Sequence, residues 1–90
     1  MDNTTLLSNR YERLCKNHLS YIAKLGNRKL SSDLSLKKQI EKFVSELRYF
    51  IRDSNNIFDK VKRAKIAAFE QFWLEKLAVS GGDVVNRGLY

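Results

Sequence analysis

The residues best suited to chemistry in this chain are a cysteine, a histidine and a carboxylate near its N-terminus. Cys15 and His18 are three residues apart, which places them on one side of a helix, and Glu12 lies one further turn back. These are zinc ligands, but a zinc site needs about four of them, and the sequence has no second cysteine or histidine. The pair also lacks the orienting third group of a catalytic dyad. Both residues fall among apolar positions, so we expect core packing and no metal site.

Glycine placement argues against a phosphate-binding loop. Such loops set closely spaced glycines before a helix, whereas Gly81 and Gly82 follow the last predicted helix. A small helical enzyme that binds a dianionic substrate would point basic side chains inward, and most of the basic residues here project away from the apolar positions. We therefore predict a protein that is not an enzyme and uses no cofactor.

Positive charge is the strongest compositional signal. Seventeen lysines and arginines against ten acidic residues give a net charge of +7, which attracts anionic partners over long distances. Nucleic acid is the commonest such partner, and an acidic protein surface, an anionic membrane face or solubility alone are the other interpretations. Residues 1–30 contain six basic and two acidic residues, so we expect the partner to contact this part of the chain.

The first helix is predicted to carry a basic side opposite its apolar residues. This side and the loop that follows contain Arg10, Arg13, Lys16, Asn17, Lys24, Arg28 and Lys29. Lysine and arginine in such an array contact phosphates, and asparagine adds a hydrogen bond. A second basic group contains Lys60, Lys62, Arg63 and Lys65. We predict a nucleic-acid-binding regulatory or accessory protein, with an ordinary solvated helix face as the alternative.

A protein-binding role is the second hypothesis. An adaptor, inhibitor or chaperone would dock on an acidic surface through the same basic side, or on an apolar one through the third helix and the C-terminal tail. The predicted interface residues are Phe69, Trp73, Leu77, Val85, Leu89 and Tyr90. For Trp73 the alternative is core packing, and for the tail it is a frayed end. Gly26 followed by Ser31 is spaced too widely for the tight turn of a helix-turn-helix.

Composition and length predict one all-α domain. The chain has 90 residues, 43% of them hydrophobic, and no proline, the residue least compatible with helix interiors. The predicted architecture is a three-helix bundle over residues 1–79 with a tail over residues 80–90. Its helices lie near residues 5–25, 34–53 and 56–79.

Apolar residues at alternating spacings of four and three predict the first two helices and their buried sides. The first helix carries Leu7, Tyr11, Leu14, His18, Tyr21 and Leu25. The second carries Leu36, Ile40, Phe43, Leu47 and Phe50. Residues 27–35 predict a loop ending in a helix cap, and residues 53–56 predict a break. Because the spacing runs on through Ile57, one long helix over residues 34–79 is the alternative.

The third helix is apolar over more than half of its circumference. Its predicted core face contains Ile57, Val61, Ala64, Ala68 and Phe72. Beside that face lie Phe58, Ile66, Phe69, Trp73 and Leu77, and the strip expected to face outward contains Asp59, Arg63, Glu70 and Leu74. So wide an apolar arc exceeds what one neighbouring helix covers. We therefore predict a homodimer through this helix.

A cytoplasmic location is the expectation from the remaining features. No apolar run approaches the roughly 18 residues of a membrane span, and the N-terminal residues lack the basic segment and apolar run of a secretory signal. The single cysteine, Cys15, has no partner for an intramolecular disulfide.

Overall fold

Three helices make up the part of the chain that the structure describes. The computed structural model describes residues 3–81, with side chains over residues 4–78. Helix α1 spans Asn3–Leu25, α2 spans Leu34–Asp53 and α3 spans Lys60–Gly81, with a short 3-10 turn at Leu30–Ser32. The helices pack against one another as the predicted three-helix bundle. The short connections make α2 antiparallel to both α1 and α3.

Helix α1 buries the predicted side. Leu7, Leu14, His18 and Leu25 are buried, and the two tyrosines of the series are half-buried. The helix ends at Gly26, whose φ of 53° is a left-handed conformation that residues with a side chain rarely adopt. The Gly26 backbone N–H donates to the Ile22 carbonyl at 3.0 Å, which closes the last turn.

Helix α2 matches the prediction in its bounds and in its buried side. The five apolar residues predicted for it are all buried, and Val44 beside them is buried as well. The helix starts where predicted because the Asp33 carboxylate caps it, accepting a hydrogen bond from the Leu36 backbone N–H at 3.0 Å. Such a cap satisfies a backbone donor that has no partner within the helix.

A tight junction separates α2 from α3, so the alternative of one long helix is wrong. Asn56 has φ of 64°, a conformation that asparagine tolerates better than most residues and that stops a right-handed helix. Asp59 then accepts hydrogen bonds from the N–H groups of Val61 and Lys62 at 2.7 and 3.1 Å. Helix α3 therefore begins at Lys60, four residues later than predicted, because Asp59 caps it.

The predicted core face of α3 is wrong except at Phe72, which is half-buried against the core. Ile66 and Trp73, expected at its flank, are 0% exposed, whereas Val61 is 78% exposed. Ala64 and Ala68 are exposed as well, so the α3 outward stripe, defined here as Val61, Ala64 and Ala68, faces away from the bundle. The bulkier residues bury more apolar surface than valine and alanine do, and that favours the observed rotation of the helix.

Part of the strip expected to face outward instead packs against α2. The Glu70 carboxylate accepts a hydrogen bond from Arg48 of α2 and its side chain is only 15% exposed. Arg63 donates through Nε to the Ser54 hydroxyl and through Nη2 to the Ile51 carbonyl, both at 2.9 Å. These two long side chains reach α2 and the junction after it, so polar contacts as well as apolar burial set the rotation of α3.

The rotation of α3 predicts effects of very different size for two side-chain truncations. Ile66→Ala should lower the free energy of unfolding by about 2–5 kcal/mol, because it leaves a cavity in the core. Val61→Ala should change it by less than about 0.5 kcal/mol, because the side chain is solvated. Urea denaturation followed by circular dichroism measures both, and a larger loss in Val61→Ala would restore the face predicted from spacing.

Candidate nucleic-acid interface

His18 joins α1 to α3 inside the bundle. Its ring is stacked on Phe69 with a centroid distance of 3.7 Å and meets the Phe72 and Trp73 rings edge-on. Trp73 Nε1 donates a hydrogen bond to His18 Nδ1 at 2.9 Å. An imidazole that accepts at Nδ1 is neutral and carries its proton on Nε2. Burial first, and then the nearby positive charge of Lys65, lowers the pKa of His18.

These contacts place His18 in the core rather than in a chemical site. Cys15, three residues earlier, is half-buried beside the same core. In the part of the chain with described side chains, no three cysteine, histidine or acidic residues come together as a metal site would require. His18 therefore acts through packing and through its hydrogen bond to Trp73.

The predicted basic side of α1 divides into solvated and anchored residues. Arg13, Lys16 and Lys24 are exposed, and we call these three the α1 basic face. Lys24 also keeps its Nζ 5.3 Å from the Tyr21 ring centroid. Asn17 is half-buried and Lys29, in the turn after α1, is exposed.

Two arginines of the predicted set are anchored by carboxylates. Arg10 Nη1 lies 3.1 Å from Asp53 Oδ2, at the end of α2, and its guanidinium lies 5.6 Å from the Phe50 ring centroid. Hydrogen bonds from Arg52 and Arg10 hold the pKa of Asp53 below its usual value. Arg28 Nη1 lies 3.1 Å from Asp33 Oδ2, and its Nη2 donates to the Lys24 carbonyl. Arg10 thus connects α1 to the end of α2, and Arg28 connects the turn after α1 to the residue that caps α2.

The second predicted basic group is divided in the same way. Lys60 and Lys62 are exposed, whereas Arg63 is bound to the junction after α2 as described above. Lys62 Nζ lies 5.5 Å from the Tyr11 ring centroid, and Lys65 Nζ lies 6.0 Å from it. These two lysines therefore lie along the line where α3 meets α1.

Lys76 extends this line and was not among the predicted site residues. Its Nζ lies 5.3 Å from the ring centroid of Phe72, four residues earlier. The spacing of four is the signal that marks the pair in the sequence, because such residues share a helix side. Lysines at cation–π distance from rings line the α1–α3 contact from Lys62 to Lys76.

The residues predicted for a protein interface are less accessible to a partner than the α1 basic face, or lie outside the described residues. Trp73 is fully buried, so the alternative of core packing is what the structure shows and no part of this side chain reaches a partner. Phe69 and Leu77 are half-buried and pack against the core. Val85, Leu89 and Tyr90 lie outside the described residues.

Comparisons with known proteins add no relative. No protein-family model, curated protein or solved structure matches this chain. None of the helices in residues 3–81 is long and apolar enough to cross a membrane.

The His18 environment predicts that stability falls on mild acidification. Because the pKa of His18 is lowered in the fold, the unfolded chain binds more protons between its usual value, 6.5, and the lower folded value. The stability that neutral His18 contributes is therefore fully present above its usual pKa and is lost as pH falls from that pKa towards the lower pKa of the folded state. Thermal denaturation by circular dichroism between pH 7.5 and 5 should show this decrease.

His18→Asn is the matched control for this pH dependence. Its amide oxygen replaces Nδ1 as the acceptor and does not titrate, so the variant should lose the slope over that pH range even if its overall stability is lower. The stability that Asp53 contributes is lost as pH falls from its usual pKa of 3.8 towards the lowered folded value, so it changes little between pH 7.5 and 5. An unchanged slope in His18→Asn would mean that another group is responsible.

Proposed function

We propose that this protein binds nucleic acid through phosphate contacts from the α1 basic face and the neighbouring Lys29. One observation carries the proposal: each ion pair within residues 3–81 uses an arginine as its cation. The carboxylates of Asp33, Asp53 and Glu70 are occupied by these arginines. Nine of the ten lysines are exposed, and no lysine takes part in an ion pair within the described residues.

The chemistry of these cations favours recognition of the backbone over recognition of bases. Lysine is a compact point charge on a flexible stem, whereas the planar arginine fork reads guanine edges. Arg13 is the single arginine of the α1 basic face, and its neighbours Lys16 and Lys24 supply charge alone. Binding should therefore depend weakly on sequence and strongly on salt.

Charge reversal on α1 tests this assignment. Four cations, Arg13, Lys16, Lys24 and Lys29, predict a slope of log affinity against log salt of about −3 to −4. Replacing Arg13 and Lys16 together with glutamate should reduce that slope by about 2 and weaken binding at low salt. Fluorescence anisotropy of labelled duplex DNA, single-stranded DNA and RNA measures both quantities.

The control variant changes the charge by the same amount on another helix. Lys38 and Lys42 are both exposed on α2, so Lys38→Glu with Lys42→Glu alters the net charge equally. This variant should keep most of the affinity. Equal loss in the two double variants would mean attraction to total charge and would refute a site on α1. Arg10 is left unchanged because its reversal would break the contact with Asp53.

The α3 outward stripe supports a second candidate function, self-association. Val61 and the two alanines leave an apolar strip uncovered in the described part of the chain. Lys60 precedes the stripe and Glu75 follows it, and both are exposed. In an antiparallel pair of α3 helices centred near Ala68, Lys60 of one copy meets Glu75 of the partner subunit at both ends. This charge complementarity favours a second copy as the occupant, in a two-fold arrangement.

Substitutions at the two ends and the centre of the stripe test this pairing. Ala68→Glu should give a monomer, because it places a charge at the centre of the contact. Glu75→Lys should weaken association, and adding Lys60→Glu should restore it by exchanging the two charges. Sedimentation equilibrium at high micromolar concentration measures each variant, and a monomeric parent protein would exclude the dimer.

A further inference from the structure

A cavity of about 480 Å³ lies at the end of the bundle where α1 turns towards α2. The turn over residues 26–31 forms one wall, and Lys76 of α3 forms part of another. The buried side chains of Leu25 and Leu30 also line it. The cavity itself was not predicted from the sequence, although Arg28 and Lys29 in its lining were predicted to contact phosphates.

Three cations meet at this cavity. Arg28 and Lys29 come from the turn and Lys76 comes from a distant part of the chain, and none of the described lining residues carries a carboxylate. Like charges brought to one place repel each other, and a bound anion relieves that repulsion. Asp33 contacts Arg28 and offsets one of the three charges, which leaves the two lysines to be neutralised.

The guanidinium of Arg28 is held in place before any ligand arrives. Asp33 accepts a hydrogen bond from Nη1, and the Lys24 carbonyl accepts one from Nη2. A guanidinium has five N–H donors, so others remain after these two bonds. Ser31 adds a hydroxyl to the lining. Held donors bind an anion with less loss of conformational entropy than mobile ones do.

We propose that this cavity binds a phosphomonoester, carried either by a free nucleotide or by the phosphorylated end of a nucleic-acid strand. A phosphomonoester carries close to two negative charges at neutral pH, which matches the two lysines, whereas an internal phosphodiester carries one. The volume exceeds that of a phosphate group and falls within the range of small-molecule sites, roughly 300–1,000 Å³. Lysine and arginine side chains would bind the phosphate here, whereas a glycine-rich loop binds it through backbone N–H groups.

The strand-end form of this ligand rests on the proposed nucleic-acid binding, and the free-nucleotide form does not. Isothermal titration calorimetry with adenosine monophosphate and with adenosine tests the second form. Anisotropy with a labelled ten-nucleotide strand, bearing either a 5′-phosphate or a 5′-hydroxyl, tests the first. The full chain is used throughout.

Two exposed lysines provide the variant, and two others provide its control. Replacing Lys29 and Lys76 together with glutamine should weaken adenosine monophosphate binding by about tenfold or more and remove any preference for the 5′-phosphate. Replacing Lys38 and Lys42 with glutamine should leave both unchanged. Two-dimensional NMR of the amide groups establishes that the variants are folded, and it should show shifts at residues 26–31 on addition of adenosine monophosphate.

The outcomes separate the cavity from the α1 basic face. Binding of adenosine monophosphate that needs Lys29 and Lys76, with no strand bound, supports the cavity and refutes the proposed function. Strand binding that needs Arg13 and Lys16, with no response to a 5′-phosphate and no binding of adenosine monophosphate, refutes the cavity alone. Equal binding of adenosine and its monophosphate, or equal loss in the Lys38 and Lys42 control, also overturns the cavity proposal.

Discussion

The hydrogen bond from Trp73 to His18 is the contact on which the arrangement of this small bundle depends. It joins residues 55 positions apart and lies in the buried interior, with the histidine stacked on Phe69. Apolar burial is non-directional, so it alone does not choose among nearby positions of one helix against another. A buried donor and acceptor must meet, because leaving either unpaired costs roughly 1–3 kcal/mol. The pair therefore restricts how α1 lies against α3.

The first two helices were predictable because each carries one narrow apolar side. For α1 and α2, spacing identified the buried residues, and the polar stretch over residues 27–35 marked the loop between the two helices. Helix α3 differs, since its apolar residues surround most of the axis and spacing alone does not define a single inward direction. Its rotation depends on contacts that α3 makes with α2 and the junction after it, through Glu70 and Arg63. The apolar pattern of one helix carries no information about the contacts that its polar side chains make with another helix.

The candidate site shows the same limit. Residue type predicted where positive charge is concentrated, but Arg10 meets a carboxylate 43 residues away, and only the folded chain brings the two together. Arginine and lysine are equivalent in a charge count, but Arg10, Arg28 and Arg48 join helices and turns through ion pairs, whereas Arg13 and most of the described lysines are exposed. The cavity beside Lys76 also depends on the fold, because its lining residues come from two distant segments.

The position of Trp73 has an optical consequence. It is the only tryptophan of the chain, so each molecule has one indole chromophore, held in a buried aromatic cluster with its N–H hydrogen-bonded to a titratable ring. Its fluorescence spectrum therefore originates from a single interior site between α1 and α3. A ligand that binds only outside the bundle leaves that environment unchanged, whereas one that separates these two helices exposes the indole to water.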